Sequence, residues 1–189
     1  MATVPSEPST TVDPGALPQT DVLPEPSSPQ LTATVAALWS GVVEGTAAPA
    51  LESFFPEAAY LQLKDIPDPG ADYRDRLLAA FGLDIAAAHR LLGPSPTSAV
   101  LVGLEIPPGR AHWVIPGECS NRIGYFEVAN SRLVYVEDGD TRSFGVASLI
   151  SWRGQWYVVY LGAVVRSVDA GVVDAPSVGP GVAAPLSTC

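Results

Sequence analysis

Acidic side chains in strand-like segments are the residues of this sequence whose types and positions best suit chemistry. Glu105 and Glu127 each stand where the alternation of a strand can turn a side chain inward. An inward carboxylate facing a phenol could remove a proton next to a carbonyl group, while the phenol stabilises the oxyanion. The phenols placed to serve as such partners, or to line a binding pocket, are Tyr60, Tyr125 and Tyr135. Carboxylates that point outward from an edge strand fit the same pattern, so both interpretations stay open.

The two histidines are further candidates, because imidazole titrates near neutrality without help. His112 adjoins Trp113 in a short predicted strand, so one of the two faces inward. An inward His112 could act as a base, whereas an outward one is a surface residue. His89 follows Ile85 by one helical turn at the edge of an apolar face, where its ring could line a pocket or pack at the rim of the core.

The sequence lacks the motifs that fix a reaction or a cofactor. It contains no P-loop, no GxGxxG, no HExxH, no CxxC, no GxSxG and no EF-hand loop. Two histidines and two cysteines spread along the chain do not have the spacing of a metal site. We therefore predict neither a cofactor nor a metal.

Cys119 and Cys189 are the two cysteines. They could be unrelated thiols, one in a loop and one at a chain end. Alternatively, a disulfide between them could tether the C-terminal tail to the domain and restrict the unfolded chain. A disulfide would indicate an oxidising compartment.

Composition divides the 189 residues into a domain and two tails. Residues 1–30 contain seven prolines, eight serines or threonines, four acids and no base, which predicts a disordered linker. Residues 168–189 are rich in Gly, Pro, Ala and Val and predict a flexible tail. The segment 31–167 is long enough to form one α+β domain with a core of its own.

Charge and hydropathy exclude several classes of partner. The net charge is −10 and no basic stripe is present, which argues against nucleic acid and anionic lipid. No stretch approaches the roughly 18 apolar residues that a membrane span needs. The first residues do not resemble a signal peptide. Because such a tail often follows a removed signal or a lipid anchor, we favour an extracellular or envelope location, with the cytoplasm as the alternative.

Hydrophobic spacing in the first half of the chain predicts three helices and one strand. The helices span residues 31–45, 47–55 and 72–92, and the strand spans residues 58–64. Gly82 is expected to kink or split the long helix, with Asp84 capping its second part.

The second half of the chain predicts a mainly antiparallel sheet. The predicted strands are residues 99–106, 111–115, 123–128, 133–137, 143–152 and 155–165. Turns are expected at Asn130-Ser131, Asp138-Gly139 and Arg153-Gly154. Helices followed by strands with short turns predict an α+β fold with helices packed on one face of a curved sheet.

Residues 145–162 form the most apolar part of this pattern, a hairpin about Arg153-Gly154. One predicted face carries Phe144, Val146, Ser148, Ile150, Trp152, Tyr157, Val159 and Leu161. The other carries Ala147, Leu149, Ser151, Trp156, Val158 and Tyr160. Because both faces are apolar, the second must be covered, either by a partner subunit in a homodimer or by the C-terminal tail.

The order of elements over residues 31–165 resembles that of NTF2-like (cystatin-like cone) domains. The similarity lies in a helix that turns at Gly45, a short helix running into Phe54-Phe55-Pro56, the strand at 58–64 and the aromatic closing hairpin. The resemblance implies a curved sheet that wraps the long helix and leaves a pocket at the open end of the cone. This superfamily includes isomerases, dehydratases and transport factors, but the sequence matches no catalytic pattern of any of them.

These observations predict a non-enzymatic binding or interaction domain, envelope-associated or secreted, with a pocket for a small apolar ligand. The alternative is a pocket enzyme of the isomerase or dehydratase type that uses Glu105, Glu127 or His112 as its base. Convergent titratable side chains would favour the enzyme, and an apolar mouth would favour the binding domain.

Overall fold

Helices and a six-stranded antiparallel sheet make up the protein in a computed structural model, which describes residues 13–162 and 166–184. The α-helices are α1 (Pro29–Glu44), α2 (Glu57–Leu63), α3 (Pro69–Asp72) and α4 (Ala79–His89). The strands are β1 (Val100–Glu105), β2 (His112–Val114), β3 (Tyr125–Glu137), β4 (Asp140–Trp152), β5 (Gln155–Tyr160) and β6 (Asp174–Val178). The predicted α+β class is confirmed. Within the described ranges, no helix is long and apolar enough to cross a bilayer.

Local signals at both ends of α1 explain its bounds. The Ser28 hydroxyl accepts a hydrogen bond from the Leu31 amide at 3.1 Å, and Pro29 occupies the first turn, where its missing N–H costs nothing. Gly45 ends the helix in the left-handed conformation with φ 71°, which glycine adopts without strain. The helix predicted at 31–45 is therefore confirmed.

The segment between α1 and α3 differs from prediction. Residues 58–63, predicted as part of a strand, belong to helix α2, because the buried Ala59, Tyr60 and Leu63 follow a helical spacing, whereas alternation would also bury the exposed Leu61. The helix predicted at 47–55 is a shorter 3-10 helix, Ala48–Ser53. It ends where Phe54 becomes extended and forms an isolated parallel bridge with Val158 of β5.

The long helix predicted at 72–92 is a continuous helical stretch from α3 to α4, but its irregularity is not at Gly82. A π-helical turn, Tyr73–Leu78, joins α3 to α4. Gly82 lies inside α4, and a Cβ there would meet no atom closer than 3.9 Å. The predicted kink at Gly82 is therefore wrong.

Asp84 does not cap a helix as predicted. It lies inside α4 and is fully buried. Its carboxylate accepts hydrogen bonds from the amides of Leu161 at 3.1 Å and Val172 at 2.9 Å, and it pairs with Arg166. The side chain thus attaches the chain that follows β5 to α4.

The sheet has the order β1-β3-β4-β5, with β2 also paired to β3 and β6 also paired to β4. Both residues of each tight turn have positive φ, 52° and 83° at Asp138-Gly139 and 52° and 74° at Arg153-Gly154. These values are typical of type I′ turns, whose twist matches that of the flanking strands. Both predicted turns are confirmed.

The turn predicted at Asn130-Ser131 is wrong, because β3 continues through it. Asn130 does adopt a left-handed φ of 61°. The ladder to β4 nevertheless keeps one register on both sides, with Ala129 opposite Ser148 and Ser131 opposite Val146. The two strands predicted at 123–128 and 133–137 are therefore one.

Both faces of the β4–β5 hairpin are buried within a single chain. Trp152 and Tyr157 contact Phe55, while Leu149 and Trp156 are buried as well. A shift of one residue between Ser148 and Leu149 alters the predicted register there. A second subunit was expected in order to cover the second apolar face of the hairpin. A single chain buries both faces, so this face does not require a partner, and the homodimer stays a prediction.

The segments on either side of the predicted domain lie against the sheet where they are described. In the N-terminal segment, the carbonyl of Pro14 accepts a hydrogen bond from the indole of Trp152 at 3.1 Å, and Gln19 donates to the carbonyl of Ser151 at 2.9 Å. In the C-terminal segment, β6 adds a strand to β4. The domain bounds at residues 31 and 167 stay a prediction.

From β6 onward the tail lies against Arg132 and Ser143 of the sheet. Arg132 donates to the carbonyl of Ala175 at 2.9 Å and to the Ser143 hydroxyl at 2.6 Å, which itself donates to the carbonyl of Gly179 at 2.8 Å. This is the arrangement in which the chain's own tail covers part of the sheet.

Candidate functional site

Polar side chains from α2, the end of α3, the π-helical turn and β5 meet at one place on the protein. Arg76 holds Asp72 with two hydrogen bonds of 2.6 Å, and the Tyr60 hydroxyl donates to the same carboxylate. Arg76 also donates to the hydroxyls of Tyr60, at 3.0 Å, and Tyr160. Together with Lys64, these residues form the polar cluster.

The π-helical turn sets the geometry of this cluster. Asp72 ends α3 and Arg76 follows four residues later within the wider turn, so that both side chains share one side of the helix. Such turns are frequent at functional sites, because they break the regular spacing of side chains. Here the turn allows one guanidinium to reach a carboxylate on its own helix and two phenols on other elements.

The ion pair at the centre of the cluster is half open to water. The Arg76 and Asp72 side chains are 46% and 24% exposed. Hydrogen bonds from Arg76 hold the pKa of Asp72 below its usual range, while burial raises the pKa of Tyr60. Solvent screens the pair, so its contribution to stability is small.

Lys64, the only lysine of the chain, closes α2 and joins the cluster to a loop before β3. Its Nζ donates to the carbonyl of Cys119 at 2.9 Å and lies 5.9 Å from the centroid of the Tyr60 ring. Its backbone forms an isolated bridge with Asn121. Burial lowers the pKa of Lys64, and Arg76 lowers it further.

Glu127 and His112, two residues predicted as site residues, are brought together in the sheet. They lie opposite each other on β3 and β2, and His112 Nε2 is 3.7 Å from Glu127 Oε2. Glu127 Oε1 accepts a hydrogen bond from the Ser148 hydroxyl at 3.2 Å. The Glu127 side chain is 16% exposed and that of His112 43%. Burial raises the pKa of Glu127, and its charge also acts on Lys64.

Two of the predicted acids and phenols lie apart from this pair. Glu105 is exposed at the end of β1, opposite Arg132. The Tyr135 ring packs 5.2 Å from that of Trp39 in the core. Neither side chain faces Glu127 in the way the hypothesis of a carboxylate and a phenol requires.

The remaining predicted residues have packing partners of their own. The Tyr125 hydroxyl accepts a hydrogen bond from the Asn121 amide at 3.3 Å. Burial raises the pKa of this phenol, and the charge of Glu127 raises it further. His89 Nδ1 lies 2.9 Å from the carbonyl of Val42, and its ring packs against Gly45. The position of His89 at the rim of the core matches one of the two interpretations of the sequence.

A groove of about 280 Å³, whose side chains are mostly apolar, lies between the first turns of α1 and strand β1. Its lining consists of Pro26, Leu31, Thr32, Val35, Leu101, Val102, Gly103 and Leu104. No titratable side chain lines it. This α1–β1 groove is separate from the residues of the polar cluster.

Sequence analysis missed Lys64, Asp72, Arg76 and Tyr160. The spacing of Asp72 and Arg76 was visible, but an i, i+4 ion pair is common on exposed helices and indicates no site by itself. The single lysine was a further signal. Among the described residues, no group of three or more acids, histidines or cysteines could hold a metal ion.

The predicted disulfide involves one described and one undescribed residue. Cys119 belongs to the 3-10 helix Glu118–Ser120, whereas Cys189 lies outside the described residues. The Cys119–Cys189 disulfide therefore stays a prediction.

Comparison with known proteins identifies no relative that could assign these sites. No protein-family model, no curated protein and no solved structure matches the chain. The resemblance to NTF2-like domains thus rests on element order, and one of its elements, the strand at 58–64, is helix α2.

Proposed function

We propose that this protein is a non-enzymatic binding domain that holds a small apolar ligand in the α1–β1 groove. The supporting observation is that the side chains lining the groove are apolar apart from Thr32, while polar atoms supply slightly more than half of its exposed surface. Small-molecule sites are concave and mostly apolar, with few polar groups that fix orientation. The volume of about 280 Å³ suits a compact ligand such as a short aliphatic chain or a single ring.

The same lining explains how such a ligand would gain affinity. Each methylene that leaves water for an apolar site contributes about 0.8 kcal/mol. Leu31 and Val35 are themselves buried and belong to α1, so that one wall is part of the core. The groove is open to solvent at Val102 on the β1 wall and at Pro26 and Thr32 on the α1 side. Leu31 and Val35 thus form a fixed floor that the folded core supplies before a ligand arrives.

A pair of neighbouring variants tests this function. Val102 lines the groove and is 64% exposed, whereas Val100, on the same strand, is 62% exposed and does not line it. We expect V102E to weaken binding of cyclohexanol, followed by calorimetry or by shifts of the Val35 methyl resonances, at least about tenfold. V100E should bind as the wild type does. No binding by the wild type, or equal loss in both variants, would contradict the proposal.

The proximity of His112 and Glu127 favours one alternative function, a pocket enzyme of the isomerase or dehydratase type. A carboxylate whose pKa is raised by burial suits general-base catalysis near neutral pH. Exchange of the protons next to the carbonyl of cyclohexanone in D2O, followed by NMR, measures this activity without a known substrate. If the protein catalyses the exchange and E127Q abolishes it, the enzymatic function is supported over the binding function. Exchange at the rate of buffer alone would contradict the enzymatic function.

We further propose an NTF2-like origin and an extracellular or envelope location. The location rests on the Pro- and Ser-rich N-terminal segment and on the Cys119–Cys189 disulfide. Mass spectrometry of unreduced protein, after refolding in air, tests the disulfide. Two alkylatable thiols would leave the location without this support.

A further inference from the structure

Strand β6 occupies a part of the β4 edge that β5 leaves open. β5 pairs with residues 148–152 of β4, whereas β6 pairs with residues 142–145. The residues that β6 covers, together with Arg132 beside them on β3, form the tail seat. The side chains of β6 contribute little apolar contact, since Val178 and the dipeptide Ala175-Pro176 are exposed.

The tail seat binds the backbone of the tail. The buried Arg132 donates to the carbonyl of Ala175 at 2.9 Å. Ser143 donates to the carbonyl of Gly179 at 2.8 Å, and the Gly179 amide donates to the carbonyl of Thr141 at 2.7 Å. Hydrogen bonds to main-chain groups are the means by which a sheet accepts an added strand, and an uncovered strand edge is a template for pairing with another chain. A seat that loses its tail is therefore expected to bind the same segment again.

A strained hinge precedes the segment that the seat holds. Ala175 has a φ of 41°, in the left-handed region that residues other than glycine adopt at a cost. The next residue is Pro176, and a residue before proline favours extended conformations. Opposite this point, the pairing with β4 shifts between Ser143 and Gly145. The closed tail thus stores strain at Ala175-Pro176 that an extended hinge would release.

The chain before this hinge is fixed, so only the segment after it is free to leave. Asp84 accepts a hydrogen bond from the Val172 amide at 2.9 Å, and the Asp174 amide donates to the carbonyl of Leu161 at 3.0 Å. Residues 176–184 lie beyond both anchors. Short hinges under strain favour domain swapping, in which two copies of a chain exchange an identical element.

We propose that two copies of this chain exchange residues 176–184, so that each tail occupies the tail seat of the other copy. The hydrogen bonds of the seat are the same in the exchanged dimer as in the single chain, while the hinge becomes extended. This dimer differs from the one predicted from the sequence, which was to cover a face of the β4–β5 hairpin. None of the exchanged residues lines the α1–β1 groove, so the exchange goes beyond the proposed function and does not depend on it.

Light scattering of the full chain in a reducing buffer tests whether the hinge drives dimer formation. We expect A175G to raise the dissociation constant of the dimer at least about tenfold, because glycine adopts the left-handed conformation without strain and so favours the closed tail. A183G is the matched control, since Ala183 lies in the same tail and has no positive φ, and it should change the constant less than about twofold. A wild type that stays a monomer at about 1 mM, the order of the effective concentration of a short linker, would overturn the proposal, as would equal effects of the two variants.

A cross-link between chains tests whether the tails are exchanged in that dimer. Ser143 and Ser177 lie opposite each other in the β4–β6 pairing, where Cβ atoms are about 4.5–5.5 Å apart. Chains carrying S143C are mixed with chains carrying S177C and oxidised, and peptide mass spectrometry follows the disulfide between the two introduced thiols. We expect at least about tenfold more of this disulfide than in a mixture of V100C and S177C chains, because Val100 is exposed on β1, away from the seat. Equal yields would show that the tails are not exchanged and would contradict the proposal.

Discussion

The protein contains two pairs of arginine and aspartate that have the same chemistry and different surroundings. Arg76 and Asp72 stand on one helical stretch and are half open to water. Arg166 and Asp84 come from distant parts of the chain, and their side chains are 8% and 0% exposed. Tyr160 lies between the pairs, since its hydroxyl accepts from Arg76 and its ring lies 5.4 Å from the Arg166 guanidinium.

Burial explains why the two carboxylates differ. Hydrogen bonding to Arg76 dominates at Asp72 and lowers its pKa, whereas burial dominates at Asp84 and raises its pKa. Removing both charges of a pair from water costs free energy. Removing only one of the two partners costs still more, because the other charge is then buried without a partner. The buried pair therefore attaches the tail to α4, and the open pair leaves the polar cluster accessible.

The largest difference in stability between the two pairs is expected when each aspartate is replaced by alanine. D84A removes the acceptor for two amides and leaves Arg166 buried without its partner, so we expect a loss of about 3–5 kcal/mol in the free energy of unfolding. D72A should cost about 1 kcal/mol or less. Urea denaturation of both variants measures the difference. Equal losses would show that burial does not distinguish the pairs.

Asp84 also shows where sequence reasoning ends. Gly45, Asp138-Gly139 and Arg153-Gly154 could be predicted because their signals are local: a left-handed cap or turn is encoded by the residues that adopt it. The role of Asp84 depends on amides 77 and 88 residues further along the chain. No local pattern encodes these contacts.

Ambiguous periodicity accounts for the other differences. Residues 58–63 are apolar except for Gln62, so both alternation and helical spacing can be fitted to this short segment, and the exposure of Leu61 in the structure decides for the helix. Asn130 has the left-handed φ of a turn residue, but the β3–β4 ladder holds it within a strand. Of the candidate site, Glu127 and His112 could be predicted from their strands, while the polar cluster depends on the π-helical turn.

A smaller effect is expected where the tail meets α4 at Gly171. A Cβ on Gly171 would lie 1.9 Å from the carbonyl oxygen of Leu83, so G171A must push the tail away from α4 and weaken the Val172–Asp84 hydrogen bond. We expect a loss of about 1–3 kcal/mol and faster hydrogen exchange in β6. G82A is the matched control, because its Cβ has room and alanine favours a helix by about 1 kcal/mol. A G171A protein as stable as G82A would mean that the tail does not depend on this contact.

The smallest effect concerns the open pair and its dependence on pH. The pKa of Asp72 is depressed in the folded state, so the folded protein binds fewer protons than the unfolded chain near the usual aspartate pKa of about 4. The stability that Asp72 contributes is therefore present above pH 4 and is lost as the pH falls through its lower folded pKa. D72N should reduce the acid-induced decline in stability by less than about 1 kcal/mol, a fraction of the pair's worth at an exposed site. The exposed Asp75 on the same turn supplies the control D75N, and denaturation curves between pH 3 and pH 6 compare the two variants. If D75N and D72N change the acid-induced loss of stability equally, the pairing with Arg76 does not set the pKa of Asp72. Asp72 would then behave as an exposed carboxylate without a partner does.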